Sequence, residues 1–199
     1  MQIEQIQDHP DFRRLNEIAG IAVDLRYAGP NNFVSRSIYG NWDCAWLHKD
    51  AAVGLVKVVD RLSQQKVPVT LLVLDALRPH RAQQVLWKQL EGTELQLYLA
   101  DPERGSIHSY GMAVDVTLLD ASGRELDMGT GFDEMTPLSH PKLEQLHLSQ
   151  GMISATQLAN RQLLRSAMLQ SGFLGISTEW WHFDFGDRAS VRADHDRID

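Results

Sequence analysis

Apolar positions recur at helical spacing from about Leu47 to Gln65, where Ala51, Leu55, Val58, Val59 and Leu62 share one stripe, so the pattern predicts an amphipathic helix. "PVTLLVLDA" (68–76) is short and almost continuously apolar, which is the signature of a buried strand. Pro79 suits the first turn of a helix running on to about Leu90. "IAVDLRY" (21–27) reads as a short strand, and "GMAVDVTLLD" (111–120) alternates well enough for another. Ser154 with Gln157 forms a capping-box pattern that opens a helix to about Ser171, with Gly172 as its stop. A closing strand is expected in "STEWWHFDFG" (177–186), while 29–41 and 121–138 are turn-rich. No repeat, low-complexity tract or Pro/Gly/Ser-rich linker divides the chain, so residues 1–199 are expected to form a single domain. Helices and short strands in this irregular order predict an α+β fold with a small central antiparallel sheet flanked by helices.

Composition narrows the partners. The chain has 199 residues, 43% of them hydrophobic, which is enough for a sizeable core. Its net charge is −7, and it lacks the basic stripe that nucleic acid or an anionic membrane would require. A single cysteine, Cys44, excludes an internal disulfide and a cysteine-rich zinc module. The opening "MQIEQIQDHPDF" has neither a basic start nor an apolar run, and no segment is long enough to span a membrane. The expectation is a cytoplasmic protein acting on a small molecule or peptide.

Two clusters carry candidate chemistry. In "SIHSYGMAVD" (106–115), His108 and Asp115 are seven residues apart. A straight strand puts an odd separation on opposite faces, so the two converge only if the chain bends, and Gly111 is the position that tolerates the bend. Beyond it Val114, Val116 and Leu118 face the core, and Ala113, Asp115 and Thr117 face the other way. Asp115 is then an acid within an apolar strand, costly unless paired or metal-bound. In the closing stretch, alternation puts Trp181, Phe183 and Phe185 on the core side and His182 and Asp184 opposite, with Trp180. Glu179 needs a bend or strand end to join them. Two histidines and a carboxylate are a common catalytic zinc set with one position left for water, and a separate glutamate serves as base. Taken singly, each residue also has an ordinary explanation: a structural histidine, a buried cap, a plain core strand.

Together, His108, Gly111, Ala113 and Asp115 followed by "EWWH" resemble the signature of the D-alanyl-D-alanine dipeptidases, within the wider family of zinc D,D-peptidases related to hedgehog domains. "DLRYAGPNNFVSRSIYG" (24–40), "LDALRP" (74–79) and "LDMGTGFDEM" (126–135) resemble further blocks of that family, in the same order. The resemblance implies one zinc per chain on His108, Asp115 and His182, with Glu179 as general base and Arg78 stabilising the oxyanion. It also implies substrate contacts from Asp133, near the ammonium, and from Tyr27 and Ser106. Each of these has a plainer role open to it: an ion pair beside a helix start for Arg78, a turn for Asp133, core for Tyr27, loop shape for Ser106. One departure is visible, because Ala76 and Leu77 precede the arginine where the family pattern has glycine and an aromatic. His80, His140 and His147 match no family ligand and read as surface or structural. The implied reaction is hydrolysis of D-alanyl-D-alanine to two D-alanines, for recycling or in glycopeptide-resistant cells. The alternatives are a carboxypeptidase or endopeptidase of peptidoglycan stem peptides and a non-catalytic zinc-containing binding domain.

Overall fold

The computed structural model describes residues 1–199. Its strands are β1 (Phe12–Arg14), β2 (Ile21–Val23), β3 (Trp46–His48), β4 (Thr70–Asp75), β5 (Ala113–Leu119), β6 (Phe173–Gly175) and β7 (His182–Phe185). Its helices are α1 (Lys49–Ser63), α2 (His80–Gln89), α3 (Glu144–Ser149), α4 (Ala155–Leu169) and α5 (Arg188–Asp194). The fold is α+β. Five strands form the main sheet in the order β2-β4-β5-β7-β6, antiparallel throughout except where β2 joins β4 in parallel at the edge. β1 and β3 make a separate antiparallel pair.

Helices α1 and α4 pack on the sheet and on each other. Leu55, Val58 and Leu62 of α1 and Leu164 and Met168 of α4 bury their apolar stripes with Leu71, Val73, Val114, Val116, Leu118 and Phe183. A second apolar cluster joins Tyr27, Tyr39, Trp46, Leu77, Ala82 and Leu86. The sheet is therefore covered on both sides, which puts Asp115 and Thr117 inside along with their apolar neighbours.

Several elements are shorter than their patterns suggest. The strand expected over 21–27 ends at Val23, and a 3-10 turn at Arg26–Ala28 swings Tyr27 into the second cluster. The first helix begins at Lys49, because Trp46–His48 is drawn into pairing with β1. His48 caps the helix, its Nδ1 accepting from the Asp50 N–H at 3.3 Å. The helix after Ser154 has both capping-box bonds and runs to Leu169. The closing strand occupies only His182–Phe185. Trp180 and Trp181 precede it in a bend and are both buried, their rings meeting edge to face at 5.4 Å. Strict alternation fails here because neither face of β7 meets solvent: Trp181 and Phe183 are core as expected, but Trp180, His182 and Asp184 are buried too.

Gly111 provides the bend. It has φ +66° and ends the 3-10 turn Ile107–Tyr110 that carries His108. A Cβ there would lie 2.8 Å from the His48 nitrogen and 2.9 Å from the Phe12 ring. Gly111→Ala should therefore cost about 1–3 kcal/mol in stability, from the left-handed backbone and the clash together. Thermal unfolding measures the loss, and an unchanged midpoint would show that the turn can be built without glycine.

Candidate metal centre

His108, Asp115 and His182 come from three separate elements. The 3-10 turn holds His108, the third residue of β5 is Asp115, and the first of β7 is His182. Asp115 and His182 are direct cross-strand partners and so share a face. His182 Nδ1 lies 2.9 Å from Asp115 Oδ1 and 3.2 Å from His108 Nε2, and the third side of the triangle, His108 Nε2 to Asp115 Oδ1, is 3.4 Å. A tetrahedral ion with bonds of about 2.0–2.1 Å holds its donors about 3.3 Å apart, so the triangle has the right size for one.

The outer partners decide which atoms point inward. His108 Nδ1 is 2.7 Å from the Ala76 carbonyl oxygen, which can only accept, so Nδ1 carries the proton and Nε2 offers a lone pair. His182 Nε2 is 2.9 Å from Asp184 Oδ1 and donates to it, leaving the Nδ1 lone pair inward. Asp184 is itself held by Arg188 Nε at 2.6 Å. Three acceptors thus converge in a buried space, an arrangement that calls for a cation. Without one, burial pulls the His182 pKa down, but the Asp184 and Asp115 carboxylates outweigh it and lift it to about 10. Burial opposes the charge on Asp115, yet His108 and His182 reverse this and hold its carboxyl far below the usual range. A divalent ion satisfies the three lone pairs in place of that proton, and the donor set fits it.

Arg78 follows β4 and is buried beside this triangle. Its Nε and Nη2 donate to Asp75 Oδ2 at 2.9 and 2.7 Å, Nη1 donates to Gln83 Oε1 at 2.9 Å, and Nη2 reaches Asp115 Oδ2 at 3.4 Å. The guanidinium also sits 4.9 Å from the Tyr27 ring centroid. A register shift between Val73 and Asp75 places Asp75 opposite Asp115, where two carboxylates would repel; Arg78 bridges them. Four of its five N–H groups are engaged, which leaves one on Nη1 for a ligand.

Glu179 lies in the bend before β7 and lines a cavity of about 210 Å³ together with Arg78, His108, Asp115 and His182. Its carboxylate has no hydrogen-bond partner, and burial lifts its pKa to about 7 against the pull of His182. Trp180 anchors the bend by donating from Nε1 to Thr130 Oγ1 at 2.8 Å. Trp181 packs on Phe132.

Tyr27, Ser106 and Asp133 line the same cavity. The Tyr27 hydroxyl donates to Asp133 Oδ1 at 3.1 Å, while Asp133 Oδ2 is buried without a partner. Burial, and next the Asp115 charge, push the Asp133 carboxyl well above its ordinary range. The residue has φ +61°, a left-handed turn conformation that aspartate tolerates better than most side-chain-bearing residues. Buried Arg161 holds this loop, donating to the Met128 and Leu138 carbonyls and to Thr130 Oγ1 at 2.6, 3.0 and 3.1 Å. Of the unassigned histidines, His80 and His147 are buried and His140 is half-buried against Tyr98, all away from the triangle.

Sequence reasoning missed Asp75, Gln83 and Arg161, and placed Asp184 on the His182 face without giving it a role. Asp75 carries the same signal as Asp115, a lone acid in an apolar strand. Asp184 stands two residues after His182 and so shares its face. Nothing local marks Gln83 or Arg161, because their partners are remote in sequence.

The His108, Asp115 and His182 donor set is of the kind that metal-dependent hydrolases use. The profile of peptidase family M15, described as D-ala-D-ala dipeptidase, matches residues 10–198. A D-alanyl-D-alanine dipeptidase of Escherichia coli strain K12 is 39% identical over 170 residues, covering 85% of this chain and 81% of the relative. The protein of the same name from Enterococcus faecium is 31% identical over 202 residues, covering 88% and 92%. One from Streptomyces coelicolor is 29% identical over 191 residues, covering 87% and 90%. The chain belongs to the M15 family of D-ala-D-ala dipeptidases and is a metallopeptidase. No helix is long and apolar enough to cross a membrane.

Proposed function

We propose that the protein hydrolyses free D-alanyl-D-alanine to two D-alanines, with one zinc ion held in the catalytic site by His108 Nε2, Asp115 Oδ1 and His182 Nδ1. The observation that carries this reading is the convergence of three inward lone pairs beside a carboxylate without a hydrogen-bond partner, Glu179. Bound there, zinc would polarise the scissile carbonyl and make a water acidic enough to attack near neutral pH.

The chain's own groups do the rest. Glu179 takes the proton of the attacking water and passes it to the departing amine, a task suited to a carboxyl whose pKa lies near 7. Arg78 directs its remaining Nη1 hydrogen at the oxygen that gains charge, and the bonds to Asp75 and Gln83 hold the guanidinium still while it does so. Asp133 receives the substrate ammonium, which supplies the donor its buried Oδ2 lacks. Tyr27 orients that carboxylate through its hydroxyl, and Ser106 shapes the wall beside it. A cavity of about 210 Å³ has room for a dipeptide.

D-Alanine release from the free dipeptide and from a stem pentapeptide tests the reading. The dipeptide should be cleaved and the pentapeptide spared, with activity lost on chelation and restored by Zn2+. Comparable release from the pentapeptide would replace this reading with a carboxypeptidase. Zinc binding without hydrolysis of either would replace it with a binding domain.

A further inference from the structure

We propose that His48, Asp50 and His195 form a second cation site, suited to a divalent transition ion such as zinc. A nitrogen of each histidine and a carboxylate oxygen of Asp50 lie within 4.8 Å of one another. His48 Nδ1 stands 3.5 Å from Asp50 Oδ2 and would exchange its 3.3 Å cap bond from the Asp50 N–H for the ion; the two imidazole centroids are 4.7 Å apart, edge to face. His195 Nδ1 is buried and has no hydrogen-bond partner, so a donor atom is held there with nothing to bind. Two imidazoles with one carboxylate select zinc-like ions over calcium or magnesium, which prefer oxygen donors throughout.

The three residues line a pocket of about 320 Å³ that shares no residue with the catalytic cavity. Asp11, Asp194 and Asp196 also line it and make the surroundings negative; the one cation among its lining residues, Lys49, is paired with Asp11 at 2.5 Å. The His48 Nδ1 to Asp50 Oδ2 distance of 3.5 Å exceeds each side of the first triangle. Closing the donors on an ion needs rotation of Asp50, an exposed side chain in the first turn of α1, and of His195, just past the end of α5.

The location gives such an ion a structural task. The His48 N–H bonds the Gly111 carbonyl at 2.9 Å, and the Ile198 N–H bonds the Ser109 carbonyl at 2.8 Å. Both contacts brace the turn that carries His108, one from the start of α1 and the other from the chain beyond His195. An ion joining His48 to His195 ties these two braces together behind the catalytic turn without entering the reaction.

The test uses untagged, full-length protein stripped by chelator and titrated with Zn2+, with bound metal counted by calorimetry and elemental analysis. Wild type should bind two equivalents, and His195→Gln and Asp50→Asn one each. Asp115→Asn should keep one equivalent and gain thermal stability from Zn2+; adding His195→Gln to it should abolish both binding and gain. Wild type saturating at one equivalent, two equivalents in His195→Gln, or none in Asp115→Asn would each overturn the second site. If Asp115→Asn binds as much as wild type, the assignment of the first site fails instead, and the second stands or falls on the His195 and Asp50 variants.

Discussion

Glu179→Gln should lower kcat/KM for D-alanyl-D-alanine by about 10²–10⁴-fold while leaving the metal content at the wild-type level. The size is that of a lost general base. Glutamine fills the same volume and keeps an oxygen toward the cavity, so the bend before β7 and its tryptophan anchors should be undisturbed. The pH profile sharpens the test. Burial raises the Glu179 pKa to about 7, so the base form is present above that value and lost below it. A bound cation pulls the value down, because its charge favours the carboxylate. The acid limb of kcat/KM in the wild type should accordingly have its midpoint at or below about 7 and should vanish from the residual activity of the variant. Loss of metal from Glu179→Gln would make Glu179 a ligand and reassign the roles. Unchanged activity would remove it from the mechanism.

Asp75→Ala should destabilise the fold by about 3–5 kcal/mol, the usual consequence of leaving one member of a buried ion pair alone. Asp75 and Arg78 are both buried, and Asp75 also accepts the Tyr39 hydroxyl, so the substitution strands a guanidinium and a phenol together. Urea unfolding measures the loss. The companion variant Asp75→Leu/Arg78→Met separates structure from chemistry. Replacing both partners by apolar groups removes the stranded guanidinium and should recover part of the stability, with the Tyr39 hydroxyl and Gln83 Oε1 still lacking their partners. It should not recover activity, because the oxyanion role proposed for Arg78 requires a guanidinium. A double variant that regains hydrolysis would show that Arg78 serves the fold alone. An Asp75→Ala protein of nearly wild-type stability would show that Gln83 and Asp115 suffice to hold the arginine.

The parts of the molecule legible in the sequence are those where a residue contradicts its surroundings. Asp115 stands out as an acid in an apolar strand, and the odd spacing from His108 demands a bend, which Gly111 supplies. The long helices are equally plain, α1 from its apolar stripe and α4 from the Ser154/Gln157 capping box and the Gly172 stop. β1, β2, β3 and β6 are three residues each, too short for a period of two to register. The parallel edge pairing of β2 with β4 depends on chain brought round by the intervening helix, which no local pattern records. Alternation holds only within His182–Phe185; the bend before it brings Trp181 to the cavity beside His182, and the pattern also suggests that only one face is core. Burial of both depends on Tyr27, the His108 turn and the 128–138 loop closing over the sheet from elsewhere in the chain.

The register of β7 against β5 has a consequence for the order of folding. Asp115 faces His182 across the sheet although 67 residues separate them. A slip by one residue would turn His182 to the opposite face and set Phe183 against Asp115, leaving a buried carboxylate beside a benzyl ring. Pairing at this range carries a large loop-closure cost, so it is expected to close after the local helices. An ion that bound tightly only to the correct pairing would withdraw that register from the exchanging ensemble and thereby proofread it. Refolding with metal present should therefore yield fewer misregistered chains than refolding without it, a service rendered before any substrate is met.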